Sequence, residues 1–582
     1  MQNLYTRTSN VKLLTKIKQA LTHFTKTEWY IFLGLLVVLA VSTFGILRNI
    51  NQSFLTKVPM VGGTLTEGII GTPRFINPVL ASTDADRDMV SIVYGGLMRK
   101  DVHGDLVPDI AEKFTASENG LEYTFTLKDN ILFHDDTRVT ATDIVFTINK
   151  IKDGIVKSPI KSNWNGISVE KLSDLVVKFT LNQPYASFLD NATVGIMPEH
   201  LWKDSPIELN DLNINPVGTG SYKISKVGKL SGGGVDYYDL TYFKDFSLGT
   251  PYIKKITLKF YQNEEDLITA LENRKVEQIS SISPEKAVLL SEKGYHISSS
   301  VLPRVFGLFF NQNQNQIFTN RNVIKAINLG INKDKIIQEV LSGYGVVTDD
   351  PIPPNMIEYQ ELNSKNKDTY EDKFKEAENI LAKDGWKKNE EGFLAKTTTD
   401  KNKKTASSTI EFSISTGNAP ELATSANFIK QDLERLGIKV EVKTFDIGNL
   451  NQIVIRPRKY DSLLFGQIIN NESDLFAFWH SSQRKDPGLN VAMYTNTKTD
   501  KILEEAFITI DEESRIKKYL QFENEIKKDL PAVFLYSPDF IYVTSKNIKN
   551  LSIRNIVSTQ DRFLNMHLWY TKTDNVWKVF SN

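Results

Sequence analysis

Residues 30–47, YIFLGLLVVLAVSTFGIL, run eighteen positions without a charge. As a helix rising about 1.5 Å per residue, the run is about 27 Å long, close to the roughly 30 Å hydrocarbon thickness of a bilayer. Trp29 and Tyr30 stand at its start, where amphipathic rings suit the membrane interface. Arg7, Lys12, Lys16, Lys18 and Lys26 precede it, against Arg48 and Lys57 after it, an excess that holds residues 1–29 in the cytoplasm as a basic tail. The run is therefore expected to be an uncleaved transmembrane anchor at 30–47, followed by a tether at 48–61, with everything beyond lying outside the cell membrane. A cleavable signal peptide is the alternative, with Ala40-Val41-Ser42 as small residues for cleavage. However, the basic region is long, and the apolar run exceeds the about 7–15 residues of a usual signal core. A buried core helix fits less well, because the run is apolar all round.

The formal net charge of +0 hides a split. Residues 1–28 hold five basic residues and one acid, so the remaining 65 basic and 69 acidic residues leave a body at −4. No global field attracts nucleic acid. The absence of cysteine excludes disulfides, thiolate catalysis, iron–sulfur clusters and Cys-based zinc sites.

From Gly62 onward short strands mix with helices. Segments 121–127 (LEYTFTL), 174–181 (DLVVKFTL) and 253–261 (IKKITLKFY) alternate with period two, as half-buried strands do. Helical patterns cover 142–152, 320–328, 333–341, 370–383, 421–436, 500–508 and 511–528. Thr140 and Asp143 have capping-box spacing, and Gly437 suits a helix C-cap before the alternating strand 438–444. The polar stretch 389–408 is expected to be a mobile surface hairpin or loop. Gly232-Gly233-Gly234 lies between strand-like runs and reads as a turn.

Motifs that carry chemistry are missing. No phosphate-binding glycine loop, nucleophile elbow or H-E-x-x-H pair occurs, and the seven histidines are scattered. An enzyme is accordingly not expected, and no cofactor or metal is implied.

A set of ordered blocks remains. GGTLTEG (62–68), PRFINPVLA (73–81), VYGGLMRKD (93–101), GDLVPDIAEKF (104–114) and LEYTFTLKDNILFHDDTRVTATDIVFTI (121–148) come first. LNQPYASFL (181–189), GIMPEHLW (195–202), NPVGTGSYKI (215–224), RNVIKAINLGINKDKII (321–337), Gly385-Trp386 and YTNTKTDKILEEA (494–506) follow. Together they resemble the family 5 extracellular solute-binding proteins, the peptide and nickel receptors of ABC importers, over about residues 62–570. The physical reading of the most specific blocks is architectural. Phe133-His134-Asp135-Asp136 is a turn in which Asp136 replaces the family's usual Gly, and Asp tolerates a left-handed backbone. The glycines of 217–222 (VGTGSY) suit a tight connection before a strand.

The resemblance implies an α/β, two-lobed, periplasmic-binding-protein-like fold of type II (a Venus flytrap) closing around a ligand. Lobe I would comprise 62–98, 205–300 and 531–582, an inserted subdomain 99–204, and lobe II 301–530. The apolar runs 304–311 and 531–536 are expected at the crossings between lobes, with Phe306, Phe310 and Phe534 as hinge candidates. The implied function is a monomeric, membrane-tethered receptor that captures peptides and delivers them to permease subunits of an ABC importer. Another cargo (a nickel chelate, an oligosaccharide or an opine-like solute) and a non-transporting sensor or scaffold are the alternatives.

A receptor for many peptides must recognise their shared backbone and charged ends. In relatives that bind free peptides, a carboxylate of lobe II pairs with the α-ammonium, in a segment resembling 460–479 (YDSLLFGQIINNESDLFAFW). Phe465-Gly466 match the approach to that site, Gln467 replaces a frequent Trp, and the expected acid falls on Asn470. Glu472 or Asp474 supplies the charge if the loop is shifted; otherwise the ligand lacks a free amino terminus or is held more loosely. Glu67, Phe75, Asn77, Trp164 and Arg304 complete the ligand-binding candidates, Arg304 as a partner for a carboxylate.

Overall fold

The computed structural model describes residues 15–16, 18–19, 22–354, 356, 369–399 and 405–580. Most of the basic tail, including Arg7 and Lys12, and the tip of the 389–408 hairpin at 400–404 lie outside the described residues. The chain divides into two compact units, one of Met1–Met60 with Lys572–Asn582, the other of Val61–Thr571.

In the first unit the apolar run lies within one helix, Lys26–Phe54, none of whose residues is buried. Its start is fixed by a capping box in which the Glu28 carboxylate accepts from the Thr25 amide at 2.7 Å. The helix is long and apolar enough to cross a membrane. It continues well past residue 47, because nothing between Arg48 and Phe54 is a Gly or Pro that would stop it. The expected tether at 48–61 is thus mostly structured: helix to Phe54, then a strand, Leu55–Met60, paired antiparallel with Lys572–Trp577. Residues from Lys572 on, expected in lobe I, belong to this unit instead.

The second unit is organised by a mixed twelve-stranded sheet. Its lobe I part carries, in order, Gln278–Ser280, Thr64–Ile70, Lys255–Tyr261, Val235–Tyr242 and Tyr222–Lys229. The lobe II part carries Arg304–Phe310, Ser462–Ile468, Glu411–Gly417 and Lys439–Phe445. Between them runs Ala532–Thr544, which pairs with Arg304–Phe310 through Ala532–Tyr536 and with His296–Val301 through Asp539–Thr544. The change of partner falls at Ser537-Pro538, beside Leu302-Pro303, where the Leu302 amide donates to the Pro538 carbonyl at 2.9 Å. Proline lacks the amide that continues a ladder, which is why the partners change there. The hinge candidates Phe306, Phe310 and Phe534 are therefore displaced from the crossing. Phe306 and Phe310 sit inside the lobe II strand Arg304–Phe310, Phe534 pairs with that strand, and the prolines mark the crossing.

The inserted subdomain is a four-stranded antiparallel sheet, Ala111–Ala116, Glu122–Leu127, Val176–Leu181 and Ile167–Ser173, covered by the helix Ala141–Lys152. The Asp143 carboxylate reaches back to the Thr140 amide at 2.9 Å, and Gly437 caps its helix at φ +98°.

The FHDD and GTG blocks lock into each other. Asp136 takes the left-handed conformation at φ +66°. The buried His134 lies 3.0 Å from the Gly220 carbonyl through Nε2, while its Nδ1 faces the Gly218 amide at 3.4 Å. That pairing suits a neutral ring with its proton on Nε2. A Cβ on Gly220 would lie 2.2 Å from the Ile92 carbonyl oxygen, so only glycine fits.

Burial pushes the imidazoles of both His134 and His567 down to about 4. A depressed folded pKa means that the unfolded chain binds the proton first. Stability is therefore full above the ordinary 6.5 and is lost as pH falls toward about 4. The expected loss is on the order of 3 kcal/mol per imidazole. Urea unfolding at pH 7 and pH 4.5 checks it, and His134→Gln should shrink the difference between the two curves.

Candidate functional site

The two lobes of the second unit touch through the tip of the inserted subdomain. The Ser187 and Ser473 hydroxyls lie 2.7 Å apart, both residues buried. Tyr185 stacks on Phe507 with ring centroids 5.1 Å apart, and the Ala186 amide donates to the Phe507 carbonyl. Beside these contacts lies a cavity of about 580 Å³, within the range of small-ligand sites. The subdomain contributes Asn163, Asn165, Asn182, Gln183 and Tyr185, and lobe II contributes Ser473, Asp474, Phe476 and Phe507. Amides and hydroxyls thus face aromatic walls, and Asp474 is the one formal charge in the lining. Such a lining offers donors and acceptors to a peptide backbone and flat surfaces to side chains.

Asp474 opens the short helix Asp474–Trp479. Its Oδ2 accepts from the Asn470 amide at 2.7 Å and from Asn470 Nδ2 at 3.2 Å. Burial pushes its carboxyl above the ordinary range, with Asp190 adding to the effect and the Asn470 and Asn471 amides opposing it. Burial also raises Glu472, which lies 3.7 Å from Arg515. Asn470 itself is exposed and serves as a donor to Asp474.

The remaining candidates scatter. Glu67 is fully buried: it accepts from Arg562 Nε at 2.8 Å and from the Tyr542 hydroxyl at 2.7 Å, and Arg562 makes a two-bonded pair with Asp88. It belongs to an internal ionic network, not to a ligand surface, because a carboxylate at that depth requires its own counter-charge. Asn77 is buried too, holding the Val79 amide and Asn213. Trp164 is 1% exposed and packs against Phe179 and Phe188 in the subdomain core, although its neighbours Asn163 and Asn165 do line the cavity. Phe75 is half-buried, its amide held by Asp86.

Strand alternation divides the rest. Arg304, Phe306 and Gly466 share one face, since Phe306 pairs with Gly466; Gln467 pairs with Val305 on the other face. The Phe306 ring, stacked on Tyr536, comes within 2.7 Å of where a Gly466 Cβ would stand, which accounts for that glycine. Both amide atoms of Gln467, 1% exposed, and the Nε of Arg304 have no hydrogen-bond partner among the described residues. Burial lowers the Arg304 pKa, and Asp84 partly offsets this.

Sequence reasoning missed Tyr185, Ser187, Asn182, Gln183 and Phe507. The signal available was the clustering of amides at strand ends, in SNWNG and LNQPY, on one side of the cavity. Phe507 sits in an ordinary helix, Thr497–Ile508, and gives no such signal.

The model of the bacterial extracellular solute-binding proteins, family 5, matches residues 105–487. The oligopeptide-binding protein AppA of Bacillus subtilis is 26% identical over 502 residues, covering 84% of this chain and 89% of its own. The solved structure of AppA from Bacillus subtilis in complex with a nonapeptide superposes with a TM-score of 0.64, covering 88% of this chain and 100% of that one. NikZ from Campylobacter jejuni, solved with Ni(L-His), gives a TM-score of 0.67 at 28% identity, covering 87% of this chain and 99% of its own. The glutathione-binding protein GsiB of Escherichia coli is 24% identical over 487 residues, 81% of this chain and 88% of its own.

Two substitutions separate the internal network from the cleft. Glu67→Gln should destabilise lobe I by about 3–5 kcal/mol in denaturant melts, with ligand affinity of the folded protein unchanged. Ser187→Ala leaves the Ser473 hydroxyl without its partner across the lobes. It should weaken ligand binding by about 1 kcal/mol, roughly fivefold by calorimetry, and enlarge the radius of gyration of the unliganded protein in X-ray scattering.

Proposed function

The chain belongs to the family 5 bacterial extracellular solute-binding proteins, and from that premise we propose that it captures peptides in the cleft between its lobes and hands them to the permease of an ABC importer. The observation that carries the reading is the cavity lined by Asn163, Asn165, Asn182, Gln183, Tyr185 and Phe507 around the single carboxylate of Asp474. Its amides suit an extended peptide backbone, its aromatic walls tolerate varied side chains, and Asp474 is placed to meet an α-ammonium. The peptide-binding relative from Bacillus subtilis supports the substrate class. Of the residues weighed for that charge, Asp474 is the one we propose, supported by its place in the cavity lining and by the bonds from Asn470 that orient it.

The helix Lys26–Phe54 anchors the receptor in this reading, with residues before it in the cytoplasm and the lobes outside. The division into lobe I, inserted subdomain and lobe II is part of this proposal, with lobe I ending at Thr571 and the crossing at Leu302-Pro303 and Ser537-Pro538. A metal–amino-acid chelate is the second reading, favoured by the likeness to NikZ.

Mass spectrometry and metal analysis of the ligand that co-purifies separate the two readings: peptides support the first, and a stoichiometric transition metal overturns it. Asp474→Asn should lower affinity for peptides with a free amino terminus by about tenfold or more and leave N-acetylated peptides unchanged. Because its carboxyl sits above the ordinary range, the affinity of the unmodified receptor for free peptides should begin to fall, on acidification, at a pH above about 4.

A further inference from the structure

The first unit holds an apolar feature that the receptor reading leaves unexplained. The strands Leu55–Met60 and Lys572–Trp577 form a two-stranded ribbon whose register places Leu55 opposite Trp577 and Met60 opposite Lys572. The ribbon therefore brings residue 577 back to the point where the apolar helix ends. There the Trp577 indole Nε1 donates to the Asn51 side chain at 2.8 Å. A single turn, Lys578–Phe580, follows. Trp577 is 53% exposed, Val579 81% and Phe580 76%, and on the helix beside them Ile50 and Phe54 are 50% and 57% exposed.

An isolated two-stranded ribbon is marginal in water, and this one offers its apolar side chains to solvent at one end. The position of that end is informative. With residues 30–47 filling the hydrocarbon, Asn51 lies four residues, or about 6 Å, beyond Leu47. The headgroup layer on each side is about 5–7 Å deep. Trp577, tied to Asn51, thus lies at headgroup level, where an indole keeps its N–H bonded and its ring in apolar surroundings. The charge agrees: residues 48–60 and 572–580 carry Arg48, Lys57, Lys572 and Lys578 against one acid, Asp574. A cationic ribbon suits a surface containing anionic lipid.

We propose that the ribbon tip, Trp577, Val579 and Phe580, is a second membrane contact, seated in the headgroup layer of the bilayer that the helix crosses. This rests on the reading of Lys26–Phe54 as a membrane span. The membrane-bound unit is then joined to the other through two covalent links, Met60–Val61 and Thr571–Lys572, which adjoin the paired residues Met60 and Lys572 of the ribbon.

The absence of cysteine allows a clean test on the full chain, because each introduced thiol is unique. The variants Val579→Cys and Leu39→Cys carry an environment-sensitive fluorophore in vesicles of phosphatidylethanolamine and phosphatidylglycerol. The expected result is a blue-shifted Val579→Cys label, quenched by lipids spin-labelled near the headgroup and protected from aqueous iodide. The Leu39→Cys label should be quenched by deeply labelled lipids. Substituting Ser for Trp577 and Phe580 should abolish the lipid quenching at position 579 and preserve it at position 39. A water-exposed label at 579 with a lipid-quenched label at 39 overturns the proposal and leaves the anchor intact. A water-exposed label at 39 overturns the anchor reading and the proposal with it.

Discussion

One strand, Ala532–Thr544, carries the second unit. Its sequence, AVFLYSPDFIYVT, is buried almost throughout, and side chains alternate between its faces. In its lobe II half, Ala532 and Phe534 enter one core while Val533, Leu535 and Tyr536 enter another. In its lobe I half, Phe540 and Tyr542 enter a third core and Ile541 and Val543 a fourth. A single strand thus supplies side chains to four apolar cores and hydrogen bonds to both halves of the sheet. Each half of the strand is packed into its own lobe, and the exchange of one partner for another falls at Ser537-Pro538, whose opposite edge stays paired with Val346 and Gly345. In the proposed receptor, rotation about this exchange point would leave the packing of either lobe intact.

The polar interior of lobe I serves the same end. Arg562, fully buried, joins Glu67 on the first strand of the lobe to Asp88 on the helix Asp84–Val93, and Tyr542 of the crossing strand joins through its hydroxyl. Charges at such depth cost much to bury, and their pairing demands one arrangement of strand, helix and the segment carrying Arg562. The interlocked His134, Gly218 and Gly220 do likewise for the subdomain junction. The cavity residues Asn163 and Gln183 on one side and Asp474 and Phe507 on the other thus stand on separately packed bodies.

The elements were largely legible. The helices at Tyr370–Lys383 and Pro420–Leu436 and the strands at Glu122–Leu127 and Val176–Leu181 fall within a few residues of their expected bounds. These signals are local: apolar period, a cap, a turn residue. The site was legible only in part. Asp474 was among the weighed candidates because a short loop had to supply a charge, and Ser473 beside it meets the subdomain. Glu67, Asn77 and Trp164 were misplaced because a polar or aromatic residue near a strand end looks the same from the chain whether it faces a cleft or a core.

The sequence by itself determined the apolar run long enough to cross a membrane, the succession of strands and helices, and the turns that need Asp136, Gly220 and Gly437. Each follows from side-chain volume, charge and backbone freedom within a few residues. Tertiary structure alone decided which groups became partners. Arg562 meets Glu67 across 495 positions, Tyr185 meets Phe507, and Trp577 returns to Asn51. Those pairings are set by sheet register and by the path of the crossing strand, and no property of a short segment encodes the partner that a distant one will supply.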